Sequence, residues 1–356
     1  MSATPAKPFR WKRLCQNLAL SLATFLLCVA AFEVLLRLNH YGNLEIYEPD
    51  PALYWKLKPN QDCYTKVDRK PVHINSQGTR GPEFQVAKPP GILRILSLGD
   101  SRTFGWGLSD SETYSARLQA LLEERLRRKV EVINAGVNAW SYSQMLVYFR
   151  DPGLRYQPDV VILSDANLWT QFTEKSSPEF VRRFMLRVRL KNFLRRFAIY
   201  HYVVEVKLKE FYEAHRTKFI PVDPKQDPLF KDQQQKDPDA VFRGAIHDLC
   251  ALAKTKGVKP VLLYLPRLEE LTTTNALSVL EAKRAVSREL GLPLVDIGPA
   301  LLAQAAAHPA EGKALYLEAD PAHFTSRGNE LIARQLFEAL APLVTPVVPA
   351  GASAPP

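Results

Sequence analysis

The residues able to do chemistry in this chain lie in two short segments far apart in sequence. Gly99-Asp100-Ser101 ends an apolar run, and Asp320-Pro321-Ala322-His323 lies near the C-terminus. Together they supply a nucleophile, a base and a carboxylate. A serine hydroxyl is a weak nucleophile until a neighbouring base takes its proton. His323 is the candidate base, and Asp320 is the candidate for fixing the imidazole's tautomer and orientation. A lone Gly-Asp-Ser is equally what an ordinary strand-to-helix turn looks like, with Asp or Ser capping the next helix. The tripeptide therefore needs support from the elements around it.

Those elements read as alternating strands and helices. Residues 93–98 form an apolar run ending in a Gly turn, so Ser101 would sit at the C-terminal edge of a sheet, where open α/β folds bind ligands. Residues 130–134 read as a second strand running into Ala135-Gly136-Val137-Asn138-Ala139-Trp140-Ser141. Residues 158–164 read as a third, running into Asp165-Ala166-Asn167-Leu168-Trp169. Further strands are expected at 260–265 and 294–296, with helices over 113–128, from 141, over 272–290 and over 326–341. Such alternation predicts a parallel sheet covered on both faces.

With these blocks in order, the chain resembles the SGNH (GDSL-type) hydrolase family. That family's Ser in a Gly-Asp-Ser turn, Gly after strand two, Asn after strand three and C-terminal Asp-x-x-His are matched by Ser101, Gly136, Asn167 and Asp320/His323. The resemblance covers residues 70–342. Thr103-Phe104-Gly105-Trp106-Gly107 and Asn75-Ser76-Gln77-Gly78-Thr79-Arg80-Gly81 resemble a membrane-anchored bacterial branch. It implies a flavodoxin-like three-layer α/β/α fold with a mostly parallel five-stranded sheet, and serine ester hydrolysis without a cofactor. Ser101 would be the nucleophile, His323 general base and then acid, and Asp320 the stabiliser of the imidazolium. The oxyanion would be held by the N–H groups of Ser101 and Gly136 and the side-chain amide of Asn167. Each such donor is typically worth about 3–4 kcal/mol of barrier. Two local departures stand out: Asp165-Ala166-Asn167-Leu168 replaces the family's Gly-x-Asn-Asp, and Arg102 follows the nucleophile.

The ends of the chain speak to location. Lys7, Arg10, Lys12 and Arg13 precede an apolar stretch over 18–36, long enough for one bilayer span. The positive-inside rule then keeps residues 1–14 cytoplasmic and exports the rest, with 15–38 as the transmembrane anchor; with the bacterial branch that the resemblance implies, this is an inner-membrane protein whose catalytic domain is periplasmic or otherwise extracytoplasmic. A cleaved signal peptide ending at Val29-Ala30-Ala31 is the rival reading. Residues 39–92 read as an extended lead-in, 93–342 as the hydrolase-like domain and 343–356 as a Pro- and Ala-rich disordered tail. A Cys63–Cys250 disulfide is allowed outside the cytoplasm but not required, and no Cys/His cluster has metal-ligand spacing.

The segment 171–245 interrupts the alternation. With 12 Lys/Arg against 5 Asp/Glu, residues 171–220 carry +7 of the formal +10, and residues 1–20 carry +4. The basic character is thus local and does not mark a nucleic-acid-binding surface. Phe180, Val181, Phe184, Val188 and Phe193 or Leu194 recur at helical spacing, which predicts an amphipathic cap helix. Its basic face is either solvated or rests on a membrane surface or an anionic glycan.

Three functions fit these residues: an exported esterase acting on an acylated carbohydrate, a polysaccharide O-acyltransferase using the same triad, and a glycan-binding or scaffold protein with a degraded site. Enzymes of the envelope polysaccharide are the partners to expect. Trp106, Trp140 and Trp169 each follow one of the strand ends and would gather around one cleft as a sugar platform, unless they pack the loops instead. Arg102 would add affinity for an anionic sugar, or else pair with a local carboxylate.

Overall fold

A computed structural model describes residues 11–66, 68–166, 178–214, 238–271, 277–307, 313–318 and 320–345. The chain enters through one long helix, α1 (Trp11–Leu38). Two antiparallel hairpins follow, β1 (Tyr47–Asp50) with β2 (Tyr54–Leu57), and β3 (Gln61–Tyr64) with β4 (Pro71–Ile74). The stretch expected to be an extended lead-in is therefore folded. Next come β5 (Leu93–Gly99), α2 (Ser101–Phe104), α3 (Tyr114–Leu126), β6 (Val130–Gly136), α4 (Tyr142–Arg150) and β7 (Val160–Leu163). The insertion contributes α5 (Pro178–Leu194) and α6 (Ala198–Tyr200), which continues through a π-helical stretch, His201–Leu208, into α7 (Lys209–Ala214). The chain closes with α8 (Pro238–Thr255), β8 (Lys259–Tyr264), α9 (Leu277–Leu290), β9 (Leu294–Asp296), α10 (Gly298–Ala307), the hairpin β10 (Tyr316–Leu317) and β11 (Asp320–Phe324), and α11 (Ser326–Val344).

The central sheet runs β6-β5-β7-β8-β9, and every pairing in it is parallel. This is the flavodoxin-like order. Its direction of winding reverses at β5, so the C-terminal ends of β5 and β7 mark the switch point at which such sheets bind ligands. The strands bury both faces, and successive side chains alternate between two cores. Leu96, Leu98, Val161, Leu163 and Leu262 face α4 and α8, whereas Ile95, Val160, Ile162, Val261 and Leu263 face α3, α10 and α11. Local signals set the helix starts. Ser141 and Gln144 form a reciprocal capping box on α4, and the Thr113 and Thr325 hydroxyls cap α3 and α11.

The hairpins are locked to the sheet from above. The Arg80 backbone bridges to Asn134 on β6, and its buried guanidinium donates to the carbonyls of Phe104, Gly105 and Leu108 and to Asp110. Trp140 Nε1 donates to the Trp55 carbonyl, and Trp55 Nε1 donates to the Asn138 carbonyl. Lys70 Nζ lies 2.7 Å from both oxygens of Glu112. Cys63 and Cys250 are buried free thiols, so the permitted disulfide is not formed.

Glu112 offers a test of how the hairpins are held. Burial by itself would raise its pKa, but hydrogen bonds from Lys70 and from the Ser109 N–H and hydroxyl outweigh that and pull it to about 2. A depressed carboxylate stabilises the fold above its unfolded pKa of about 4.3 and loses that contribution as pH falls through the folded value. Glu112→Gln should therefore lower the urea midpoint at pH 6, with the gap to the parent protein closing as pH falls from above 4 toward 2. A gap independent of pH would show that the carboxylate charge is not what matters.

Candidate active site

Two glycines at the ends of adjacent strands let the Ser101 turn lie directly on the sheet edge. A Cβ at Gly99 would meet Thr103 Oγ1 at 1.9 Å, and one at Gly136 would meet the Phe104 backbone nitrogen at 2.2 Å. No side chain fits either space. Asn134, two residues before Gly136 on β6, donates to the Thr103 carbonyl at 2.8 Å and accepts from the Gly136 N–H at 3.1 Å. The turn itself is capped by Asp100, whose Oδ1 accepts from the Arg102 N–H at 2.9 Å, and ends in Gly105 at φ 87°.

On this turn Ser101 Oγ lies 2.7 Å from His323 Nε2. His323 Nδ1 lies 3.1 Å from Asp320 Oδ1, close but at an angle short of a formed hydrogen bond. Catalytic contacts often tighten only when substrate closes the site. Burial would raise the Asp320 pKa, but the facing imidazole and Lys209, 3.6 Å away, hold it below the ordinary carboxylate value. Asp320 and His323 sit on β11 of a short antiparallel hairpin. The arrangement can pass a proton from the serine hydroxyl to an imidazole steadied by a carboxylate, which is the chemistry of acyl transfer.

The other expected site residues fare differently. Trp106 is brought to the site: its ring stacks on His323 with centroids 5.7 Å apart, and Lys66 Nζ lies 5.2 Å from its centroid. Trp140 is not. It is fully buried and hydrogen-bonded to the hairpin backbone, because the hairpins cover the edge where a sugar platform was expected. Arg102 does not face an anionic sugar either. It is 7% exposed, its Nη2 lies 2.8 Å from Asp100 Oδ2, and its Nη1 donates to the Leu265 carbonyl at 2.6 Å. Gly136 has its N–H engaged by Asn134 Oδ1, so its lack of a side chain serves contact with the Ser101 turn rather than with substrate. Asn167 and Trp169 lie outside the described residues.

Sequence reasoning missed a buried charge network under the serine. Asp165, at the end of β7, pairs with Lys283 of α9, accepts from the Leu265 N–H and lies 3.6 Å from Arg102 Nη1. Its backbone carbonyl accepts from the Asp100 N–H at 3.1 Å. Burial depresses the Lys283 pKa, and the Asp165 carboxylate opposes that fall. A signal was present: Leu280, Lys283 and Val286 are spaced as one buried helix stripe, so the lysine falls on the apolar face. A charge there needs a buried partner.

Three variants test these assignments. Lys283→Met leaves Asp165 without its closest cation and should cost about 3–5 kcal/mol, as does breaking other buried pairs. Lys283→Met/Asp165→Asn should regain part of that loss in urea unfolding, and no recovery would mean the lysine acts through packing alone. Trp140→Ala should cost about 3–5 kcal/mol and reduce turnover of small and polymeric esters alike.

Residues 97–331 match the family model described as GDSL-like Lipase/Acylhydrolase family. No curated protein sequence matches the chain. Similar solved structures include a lipase/acylhydrolase from Enterococcus faecalis, at 14% identity and a TM-score of 0.45, covering 71% of this chain and 98% of that one. The psychrotrophic esterase EstA from Pseudoalteromonas sp. is similar at 12% identity and a TM-score of 0.42, covering 70% and 98%. A two-domain esterase active on acetylated mannans is similar at 15% identity and a TM-score of 0.44, covering 71% and 50%. With the family match spanning well over half its length, the chain belongs to the GDSL-like lipase/acylhydrolase family and is a serine ester hydrolase.

Proposed function

We propose that the protein is a membrane-anchored esterase that deacylates, and above all deacetylates, a carbohydrate of the bacterial envelope. The contact that carries this reading is the 2.7 Å hydrogen bond between Ser101 Oγ and His323 Nε2, with Asp320 behind the imidazole. His323 accepts the hydroxyl proton as Ser101 Oγ attacks the ester carbonyl. The tetrahedral intermediate collapses as the imidazolium returns that proton to the leaving sugar oxygen. Water then repeats the sequence on the acyl-enzyme and releases the acid. The imidazolium formed in each half is steadied by Asp320, which the local charges keep ionised at neutral pH. The Ser101 N–H belongs to the first turn of α2, whose N–H groups have no partner within the helix, and is available to the oxyanion.

The carbohydrate part of the reading rests on Trp106. Its ring lies against His323, and its Nε1 is buried without a partner among the described residues. An indole offers an apolar face to a sugar ring and a polar N–H to its hydroxyls. The anchor rests on α1, which is long and apolar enough to cross a bilayer and follows a basic N-terminal stretch. In this reading the anchor is 15–38 and the hydrolase domain begins at 93 with its insertion at 171–245, while the tail drawn from sequence at 343–356 starts later, because α11 runs to Val344, which is buried in the core. The catalytic domain lies on the periplasmic side.

The test is turnover of a panel of acetylated sugars and aryl esters by the purified full chain. Ser101→Ala and His323→Ala should lose nearly all activity with unchanged thermal unfolding, and Asp320→Asn should lower kcat by about 10²–10⁴-fold. Ser101→Ala as active as the parent would refute the nucleophile. Trp106→Ala should lose more on the sugar ester than on the aryl ester, and equal loss on both would refute the carbohydrate reading. Recovery of the acyl group on a sugar hydroxyl rather than as free acid would turn the assignment from hydrolase to transferase.

A further inference from the structure

The outward face of the α5–α7 insertion has the wrong polarity for a surface washed by water. Phe184 and Val188 of α5 pack on the core. Leu186, Leu190 and Phe193 point away from it and are 67%, 59% and 55% exposed. At about 100° per residue they lie on one stripe, roughly opposite Phe184 and Val188. Leu208 and Phe211 extend the apolar exposure, at 56% and 52%. Arginines flank the stripe on α5: Arg182 and Arg189 fall on one side and Arg187 on the other, all exposed. An apolar stripe bordered by long cations suits the boundary between headgroups and acyl chains, with the guanidinium groups reaching up to phosphate.

The position of α1 says which surface this face meets. Glu33, near the outer end of that helix, accepts from the Ala198 and Ile199 N–H groups at 2.9 Å each. Arg37 pairs with Glu33 and donates to the Arg196 carbonyl at 2.7 Å. The Phe32 and Tyr202 rings meet edge to face at 6.0 Å. Glu33 is five residues from the end of α1, so these contacts hold the insertion within about 10 Å of the point where the helix ends. That is the depth at which an interfacial helix lies.

We propose that the α5–α7 insertion is a membrane-seating platform, with its Leu186–Leu190–Phe193 stripe immersed at the surface of the bilayer that α1 spans and its arginines on anionic headgroups. The inference rests on the reading of α1 as an uncleaved anchor. It also draws the active site toward the membrane, since Lys209 of α7 lies 3.6 Å from Asp320.

The experiment uses the full chain in phosphatidylcholine vesicles with and without phosphatidylglycerol. Nitroxides are placed at native Cys28 in a Cys15→Ser background, and at Leu190→Cys or Glu124→Cys in a Cys15→Ser/Cys28→Ser background. Glu124 is exposed on α3, outside the insertion. Collision with oxygen and with a nickel chelate reports depth. The Cys28 label should read deep in hydrocarbon. The Leu190→Cys label should show an oxygen-to-nickel ratio several-fold above that of Glu124→Cys, and larger when phosphatidylglycerol is present. Arg182→Glu/Arg187→Glu/Arg189→Glu should reduce that lipid dependence. A Leu190→Cys label as water-exposed as Glu124→Cys, beside a deep Cys28 label, would overturn the platform. A water-exposed Cys28 label would overturn the anchor on which it rests, while esterase activity in the same samples reports separately on the catalytic reading.

Discussion

The structure turns on a charge cluster sealed beneath Ser101. Asp100, Arg102, Asp165 and Lys283 are each buried to within 7% of full exclusion, two anions facing two cations. Sequestering four charges is costly unless each finds a partner and its remaining hydrogen bonds. Here each does, through Leu265, Leu263 and the turn's own backbone. The neighbours of Ser101 on both sides of the chain thus point inward and are immobilised, which leaves the serine itself facing His323. A serine that must meet His323 at 2.7 Å from a distant hairpin needs such a fixed base.

The peripheral segments converge on the same turn. Arg80 from the hairpins gathers the carbonyls of Phe104, Gly105 and Leu108, and Asn134 takes that of Thr103. Tyr114 of α3 bridges Thr103 and Ser97 through its hydroxyl. The insertion reaches the site from the other side, through Lys209 toward Asp320 and through Lys66, which pairs with Glu205 at 2.7 Å and lies over Trp106. Residues outside the α/β core therefore hold both ends of the Ser101–His323 contact, so damage to the hairpins or the insertion should register as lost activity before lost fold.

Much of the arrangement was legible before any coordinates. The runs at β5, β6, β7 and β8 are mainly aliphatic, with β7 wholly so and the others broken by single polar residues such as Arg94, Ser97 and Glu131, which is close to how strands buried on both faces read. The Gly-Asp-Ser turn and the Asp-x-x-His segment marked Ser101, His323 and Asp320, which the fold brings together. The β1–β4 hairpins were not legible, because short strands rich in Pro and charged residues have no clean alternation. The tryptophans were legible as aromatic residues near strand ends, but not by direction: Trp106 turns to His323 and Trp140 into the hairpins.

What the sequence determined by itself is what depends on local pattern. That includes the alternation that makes a parallel sheet, the long apolar α1, and the residue types at Ser101, Asp320 and His323. What only the tertiary structure decided is which groups are used up by neighbours far away in the chain. Arg102 faces Asp100 and Asp165 instead of a ligand, and the Gly136 N–H is taken by Asn134. Lys283 and Asp165, separated by 118 residues, meet in the core. The reason is physical. A backbone period fixes which way a side chain leaves its own helix or strand, but the partner that cancels a buried charge is chosen by three-dimensional packing, which no local window contains.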